Sequence, residues 1–324
     1  MSDLTPEARL WNLIRGALGT RALAVVAELR VADAVAGGPR SAAEVAHEVG
    51  ADPDTLHRLL RALASDGVFA EEAPGVFRNT AASELLRDGG WDDFAHLFGG
   101  VWYRTVAEFD ATHGQPVFPR IFGSDFWSWL ARHPDERAAF DRAMEQGKER
   151  RIDRLAALEW RDGDTVVDVG GGNGSLLTAL LRREPGLHGV VFDLPETVRD
   201  ETALGERCTF VEGSFFELMP PGDVYVLSTI LHDWDDERAA AILRTIRAAA
   251  PDDGRLLVLD AVIQPGNDPH GAKWLDLLML VLAAGRERDE AQWRALLHAG
   301  GFEPVRIDDG LIEARCRPTA QRMT

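Results

Sequence analysis

Val166-Val167-Asp168-Val169-Gly170-Gly171-Gly172-Asn173-Gly174, residues 166–174, runs from buried-strand residues into a glycine-rich turn, and a helical pattern follows at 175–183. Glycines let a chain turn sharply and let its backbone approach a ligand with no Cβ in the way. The free N–H groups at the start of the following helix face an anion. The spacing narrows the ligand. Gly170, Gly172 and Gly174 give G-x-G-x-G, with Asp168 two residues before the first glycine. A dinucleotide fingerprint, G-x-G-x-x-G, would place its third glycine at Ser175, so a nicotinamide site fits poorly.

Working outward, apolar strand patterns recur at 165–169, 189–192, 224–227 and 256–261, with helical stretches between them such as 175–183 and 236–250. That alternation predicts a doubly wound parallel α/β sheet. Two closely spaced strands, 304–307 and 311–316, joined by Asp308-Asp309-Gly310, predict an antiparallel C-terminal hairpin.

Residues 1–90 have another texture, helical with one short hairpin. Ser41 and Glu44 form a capping-box pattern, and Asp52-Pro53 is a second helix start. Leu56, Leu59, Leu60 and Leu63 make one apolar face, and Gly67 is placed to stop that helix. Short strands at 68–70 and 76–78 around Pro74-Gly75 complete a winged-helix outline. Residues 91–144 are rich in aromatics, among them Phe126 and Phe140, with no clean strand pattern; they suit inter-domain packing or an aromatic wall around a flat ligand. A charged helix is expected over 145–160. The domains expected are a winged-helix-like domain at 1–100, a helical connector at 101–160 and an α/β domain at 161–324.

The formal charge of −18 disfavours phosphate backbones as partners. Two cysteines, Cys208 and Cys316, make neither a metal-ligand pattern nor a disulfide framework. The apolar run 274–284 is about eleven residues and contains Asp276, whereas a span needs roughly twenty. No signal-peptide pattern opens the chain. These features read as a soluble cytoplasmic protein with no membrane or nucleic-acid partner.

Asp193 ends the strand in VVFDLP, where an acid can accept from both ribose hydroxyls of a nucleoside; a helix cap beside Pro195 is the alternative. Leu231-His232-Asp233-Trp234-Asp235-Asp236 follows the strand at 224–227 and precedes a helix. Ligands of open α/β sheets bind at the carboxyl ends of the strands, so His232 stands where a reacting group belongs, or is a surface residue at a helix start. Histidine titrates near neutrality and can take a hydroxyl proton.

With these motifs in hand, the chain resembles, over nearly its whole length, the small-molecule O-methyltransferases related to plant caffeate and hydroxyindole O-methyltransferases and to bacterial natural-product methyltransferases. The stretches that carry the resemblance are VVDVGGGNG (166–174), FDLPETV (192–198), LHDWDDE (231–237) and GRERDEAQW (285–293), with FGSDFWSWL (122–130) and FDRAM (140–144). It implies S-adenosylmethionine as cofactor, a Rossmann-like methyltransferase sheet, and methyl transfer to a hydroxyl of an aromatic or polyketide-like molecule. It further implies that Gly170, Gly172 and the turn around them, with Asp168, hold the methionine part, that Asp193 binds the ribose and that Phe215 and Trp234 border the adenine. His232 matches the general base, Asp260 and Glu287 the acids flanking it, and Met144 and Met279 the thioethers that contact the acceptor ring, beside Phe126 and Phe140. The N-terminal domain would make a homodimer. Three positions depart from the family. Ser214 replaces an acid and Ser228 a lysine on the cofactor side, and Asp260 is one methylene shorter than the usual Glu.

Two other readings stay open here. The same scaffold could catalyse a hydroxylation or decarboxylation with cofactor bound. The winged-helix outline could belong to a transcriptional regulator. Against the latter, residues 41–78 carry three arginines and seven acids, a net charge of −4, which offers little to phosphates.

Overall fold

The computed structural model describes residues 4–87, 90–111, 116–195, 197 and 205–318. The chain divides into two compact units, one of Met1–Glu108 with Arg132–Gln146, the other of Phe109–Ala131 with Gly147–Thr324. Residues 101–160 are therefore shared between the two units.

The second unit is built on a seven-stranded sheet: β1 (Thr165–Val169), β2 (His188–Asp193), β3 (Cys208–Glu212), β4 (Val224–Ser228), β5 (Arg255–Leu259), β6 (Phe302–Asp308) and β7 (Leu311–Cys316). Its spatial order is β6-β7-β5-β4-β1-β2-β3. The pairs β1/β2, β1/β4, β2/β3 and β4/β5 are parallel, while β7 pairs antiparallel with both β5 and β6. The alternation of side chains sorts each central strand onto two buried faces. Val167, Val169, Tyr225, Leu227, Leu256 and Val258 pack with helices Asp236–Ala249 and Glu290–Gly300. Val166, Val224, Val226, Leu257 and Leu259 face helix Ser175–Arg183 on the other side. The order in which the strands are laid down reverses between the parallel neighbours β1 and β4, and the crevice outside their carboxyl ends is where such sheets bind ligands.

The expected strands 165–169 and 311–316 are found with those bounds, the others with shifted ends, and β3 is an addition to them. The helix expected over 145–160 is shorter, Lys148–Ala156, because Gly147 adopts φ 73° at its N-cap and separates it from Pro134–Met144. Residues 196 and 198 of the 192–198 motif lie outside the described residues.

In the first unit the Ser41–Glu44 capping box forms, and Asp52 accepts from the Thr55 N–H ahead of helix Pro53–Ser65. That helix buries Leu56, Leu60 and Leu63, and Gly67 follows it at φ 78°. Strands Phe69–Ala73 and Val76–Asn79 pair antiparallel, and Arg40–Ser41 adds a third strand, completing the winged-helix outline. No described helix is long and apolar enough to cross a membrane.

Candidate active site

Three strand ends build the site. After β1 the chain enters the glycine turn, with Gly170 at φ 70° and Gly172 at φ 58°, values that favour glycine. A Cβ on Gly170 would stand 2.5 Å from Ile230 Cδ1, so side chains there would fill the space above the turn. At the end of β2, Asp193 reaches across. One carboxylate oxygen accepts from Gly172 N at 2.7 Å; the other accepts from Leu194 N at 2.7 Å and Thr197 Oγ1 at 2.8 Å. Asp168, buried on β1 just below the turn, has an Oδ2 with no hydrogen-bond partner. Burial, then the charge of Asp193, pushes its carboxyl up to about 7, against the pull of Arg151.

β4 delivers the reacting side. Ser228 ends it, Thr229 turns at φ 55°, and a single 3-10 turn, Leu231–Asp233, carries His232. His232 Nδ1 lies 2.6 Å from Glu287 Oε1, and Nε2 lies 3.5 Å from Asp233 Oδ1. A carboxylate can only accept, so Nδ1 carries the proton and donates. His232, Asp233, Asp260 and Glu287 are all buried. Burial disfavours the imidazolium, but Asp233, Glu287 and Asp260 outweigh it and raise His232 to about 10. Burial and the neighbouring acids raise Asp233 to about 7, opposed by His232. Asp260 rises to about 6, through burial first, with Glu287 adding and His232 and Arg288 opposing. Both Asp260 carboxylate oxygens and Glu287 Oε2 lack hydrogen-bond partners. The shorter Asp260 thus acts on the imidazole by charge, while Glu287 is hydrogen-bonded to it.

Phe215 and Trp234 meet edge to face at 5.9 Å between ring centroids. Phe216 stands 4.9 Å from Trp234, and the Arg238 guanidinium lies 4.6 Å over the indole. The Ser214 hydroxyl accepts from Phe216 N at 3.3 Å, inside its own turn. Met279 is buried on helix Ala272–Ala283, one turn beyond Asp276, whose carboxylate accepts from Glu287 N at 2.8 Å. Phe126 packs against Phe118 in an aromatic cluster with Phe122 and Trp129. Val117 N bonds to Val281 O at 2.8 Å and ties that segment to the same helix. Phe140 and Met144 belong to helix Pro134–Met144 of the other unit. Among the described residues, no group of three or more His, Cys, Asp or Glu side chains is arranged to hold a metal ion.

Sequence reasoning missed Asp233 as a neighbour of the imidazole, Asp276, and Arg288. The last is fully buried although it reads like any surface arginine. Its one sequence signal was its place within the 285–293 motif.

A parallel sheet whose strand order reverses at β1/β4, a glycine cradle with an acid at the end of β2, and a histidine–carboxylate pair at the end of β4 are the arrangement expected of a nucleoside-binding enzyme with a titratable group beside its ligand. Residues 102–303 match the model of the O-methyltransferase domain, and residues 11–88 that of the O-methyltransferase dimerisation domain. The chain belongs to the O-methyltransferase family and is an S-adenosylmethionine-dependent enzyme of it. It is 38% identical to a phenazine O-methyltransferase of Lysobacter antibioticus, over 95% of each chain. It is 39% identical to an O-demethylpuromycin-O-methyltransferase of Streptomyces alboniger, over 93% of this chain and 85% of that one. A solved O-methyltransferase from neocarzinostatin biosynthesis, in complex with S-adenosyl-L-homocysteine and 1,4-dihydroxy-2-naphthoic acid, superposes with a TM-score of 0.78 at 36% identity, covering 92% of this chain and 95% of that one. The open glycine cradle and the unpartnered Asp168 Oδ2 beneath it fit the family's cofactor, which brings donors of its own.

Proposed function

We propose that the enzyme methylates a hydroxyl of a small aromatic or polyketide-like natural product, with His232 as general base. The observation that carries this reading is the 2.6 Å contact of His232 Nδ1 with Glu287. A carboxylate at Nδ1 selects the tautomer whose Nε2 lone pair is free to take a proton, and it stabilises the imidazolium that results. S-adenosylmethionine, when bound, supplies a methyl already activated as a sulfonium. The chain's own work is to align an acceptor oxygen and remove its proton. Alignment contributes up to about 7–11 kcal/mol, and base assistance roughly 10²–10⁴-fold.

Gly170 and Gly172, with Asp168, hold the methionine portion, Asp193 the ribose, and Phe215 and Trp234 the adenine, with Ser214 and Ser228 lining the same side. Met279 and Phe126 contact the acceptor ring, and Met144 and Phe140 keep the acceptor role that the family resemblance implies. Thioethers suit flat rings because they are flexible and polarizable. The naphthoic acid bound in one relative and the phenazine named for another support an aromatic acceptor. The protein works in the cytoplasm as a homodimer through residues 1–100, with residues 101–160 contributing to the acceptor pocket.

His232→Ala tests the reading. Turnover with phenolic acceptors is expected to fall by about 10²–10⁴-fold. The dissociation constant for S-adenosylhomocysteine, measured calorimetrically, is expected to stay unchanged. Undiminished turnover would remove His232 from the mechanism.

A further inference from the structure

His232 stands on a poor support. The turn Leu231–Asp233 is three residues long, and its own backbone bonds are stretched: 3.2 Å from Asp233 N to Ile230 O, and 3.4 Å from Trp234 N to Leu231 O. A 3-10 turn this short cannot fix a side chain to the tolerance that proton transfer needs. The missing restraint comes from the segment that carries Glu287. Arg286 N donates to His232 O at 2.8 Å. Arg288 uses all three guanidinium nitrogens: Nη1 donates to Leu231 O at 2.9 Å, Nη2 to Trp234 O at 2.8 Å, and Nε to Asp236 Oδ1 at 2.9 Å. Its side chain is fully buried, with the guanidinium 5.4 Å over the Trp293 ring. The two carbonyls it grips lie immediately before and immediately after the His232-Asp233 pair. Close packing completes the clamp, since a Cβ on Gly285 would meet His232 O at 2.2 Å.

We propose that Arg288 is a positioning residue for the catalytic base, its planar fork holding the turn on both sides of His232 so that the imidazole keeps its place between Glu287 and the acceptor oxygen. This rests on His232 being the base. The planar fork matters because a lysine ammonium at the same site cannot satisfy three acceptors in one plane. Burial costs the guanidinium its hydration and holds it below the usual arginine range; its opposite charges, Asp236 in contact and Asp260 close by, offset part of that cost. The charge of Arg286 opposes it from the same segment. The arrangement therefore spends a buried cation on holding backbone, which is warranted where that backbone bears the reacting group.

The test is a double-mutant cycle with Arg288→Met, His232→Ala and the pair, with Arg288→Lys alongside. Arg288→Met is expected to lower kcat roughly 100-fold, the scale of a displacement of about 1 Å at the reacting atoms. KM for the acceptor and the S-adenosylhomocysteine dissociation constant should change by no more than about twofold, and Arg288→Lys should recover part of kcat. Acting through the base, Arg288 should add nothing once the base is gone, so the double variant should be as slow as His232→Ala and no slower. Additive losses, or a loss confined to KM or cofactor affinity, would overturn the proposal. Should Arg288→Met fail to fold, Arg288→Lys decides: kcat and pH profile equal to the parent's would overturn it. If His232→Ala itself keeps full turnover, it is the base assignment that fails, and the cycle separates that result from a failure of the clamp.

Discussion

The proposed base, His232, must be neutral before it acts, yet it sits among three acids that favour its charged form and raise it to about 10. A base so placed is protonated at neutral pH unless another positive charge competes for the same acids. The sulfonium of the methyl donor is such a charge, and a cation nearby lowers a histidine pKa. S-adenosylhomocysteine has the same shape without it. We therefore expect His232, followed by NMR of labelled histidine, to titrate well above 6.5 in the free protein. It should titrate about one unit or more lower with S-adenosylmethionine than with S-adenosylhomocysteine bound. Equal values in the two complexes would discard charge compensation as the means of freeing the base. At this scale the sequence spoke clearly for His232, whose motif is contiguous, and for Glu287, whose segment carries a motif of its own. It was silent on Asp233 as an electrostatic neighbour, because the reach of a side chain depends on the shape of the turn. It was silent on Arg288, because burial of a cation is set by carbonyls more than fifty residues away in the chain.

Two strand ends meet at the proposed nucleoside site. Asp193 at the end of β2 and Gly172 in the turn after β1 are joined by a 2.7 Å charge-assisted bond, so the two elements form one cradle. On the proposed role of Asp193, removing the carboxylate takes away the ribose acceptor and the tether together. A hydrogen bond to a charged group is worth about 1.5–3 kcal/mol, and each 1.4 kcal/mol is about tenfold in affinity. Asp193→Ala should thus weaken cofactor binding at least roughly tenfold by calorimetry, with Asp193→Asn between it and the parent. An unaltered dissociation constant in the alanine variant would deny Asp193 any part in holding the nucleoside. The central strands β1, β2, β4 and β5 were legible because both their faces are buried and they read as continuous apolar runs. β3 was not: at the sheet edge its sequence, Cys-Thr-Phe-Val-Glu, buries only Cys208 fully and carries no such run. The helix expected over 145–160 erred for a local reason, a single glycine at positive φ inside an otherwise helical composition.

For the whole molecule the question is what covers the first helix. Pro6–Ile14 buries none of its residues, and Leu10, Trp11, Leu13, Ile14 and the following Leu18 are each more than 60% exposed. The fold leaves this stripe uncovered by the described residues. Through Arg15, itself in helical conformation, this helix runs on into Gly16–Glu28, which holds the stripe in place. Each such side chain removed from water contributes about 1.5–3 kcal/mol, so covering the stripe with another apolar surface is favoured. Its place in a dimerisation domain points to a second copy, and in a two-fold interface every substitution counts twice. Trp11→Glu combined with Ile14→Glu should therefore convert a species of about twice 35.6 kDa into one of 35.6 kDa in sedimentation velocity at micromolar concentration. The isolated charge change is small against −18, so general repulsion cannot account for that outcome. A parent protein that already sediments as the smaller species at tens of micromolar would refute the homodimer. A double variant that stays at the larger mass would place the interface elsewhere in the first unit and leave the exposed stripe without a self-association role.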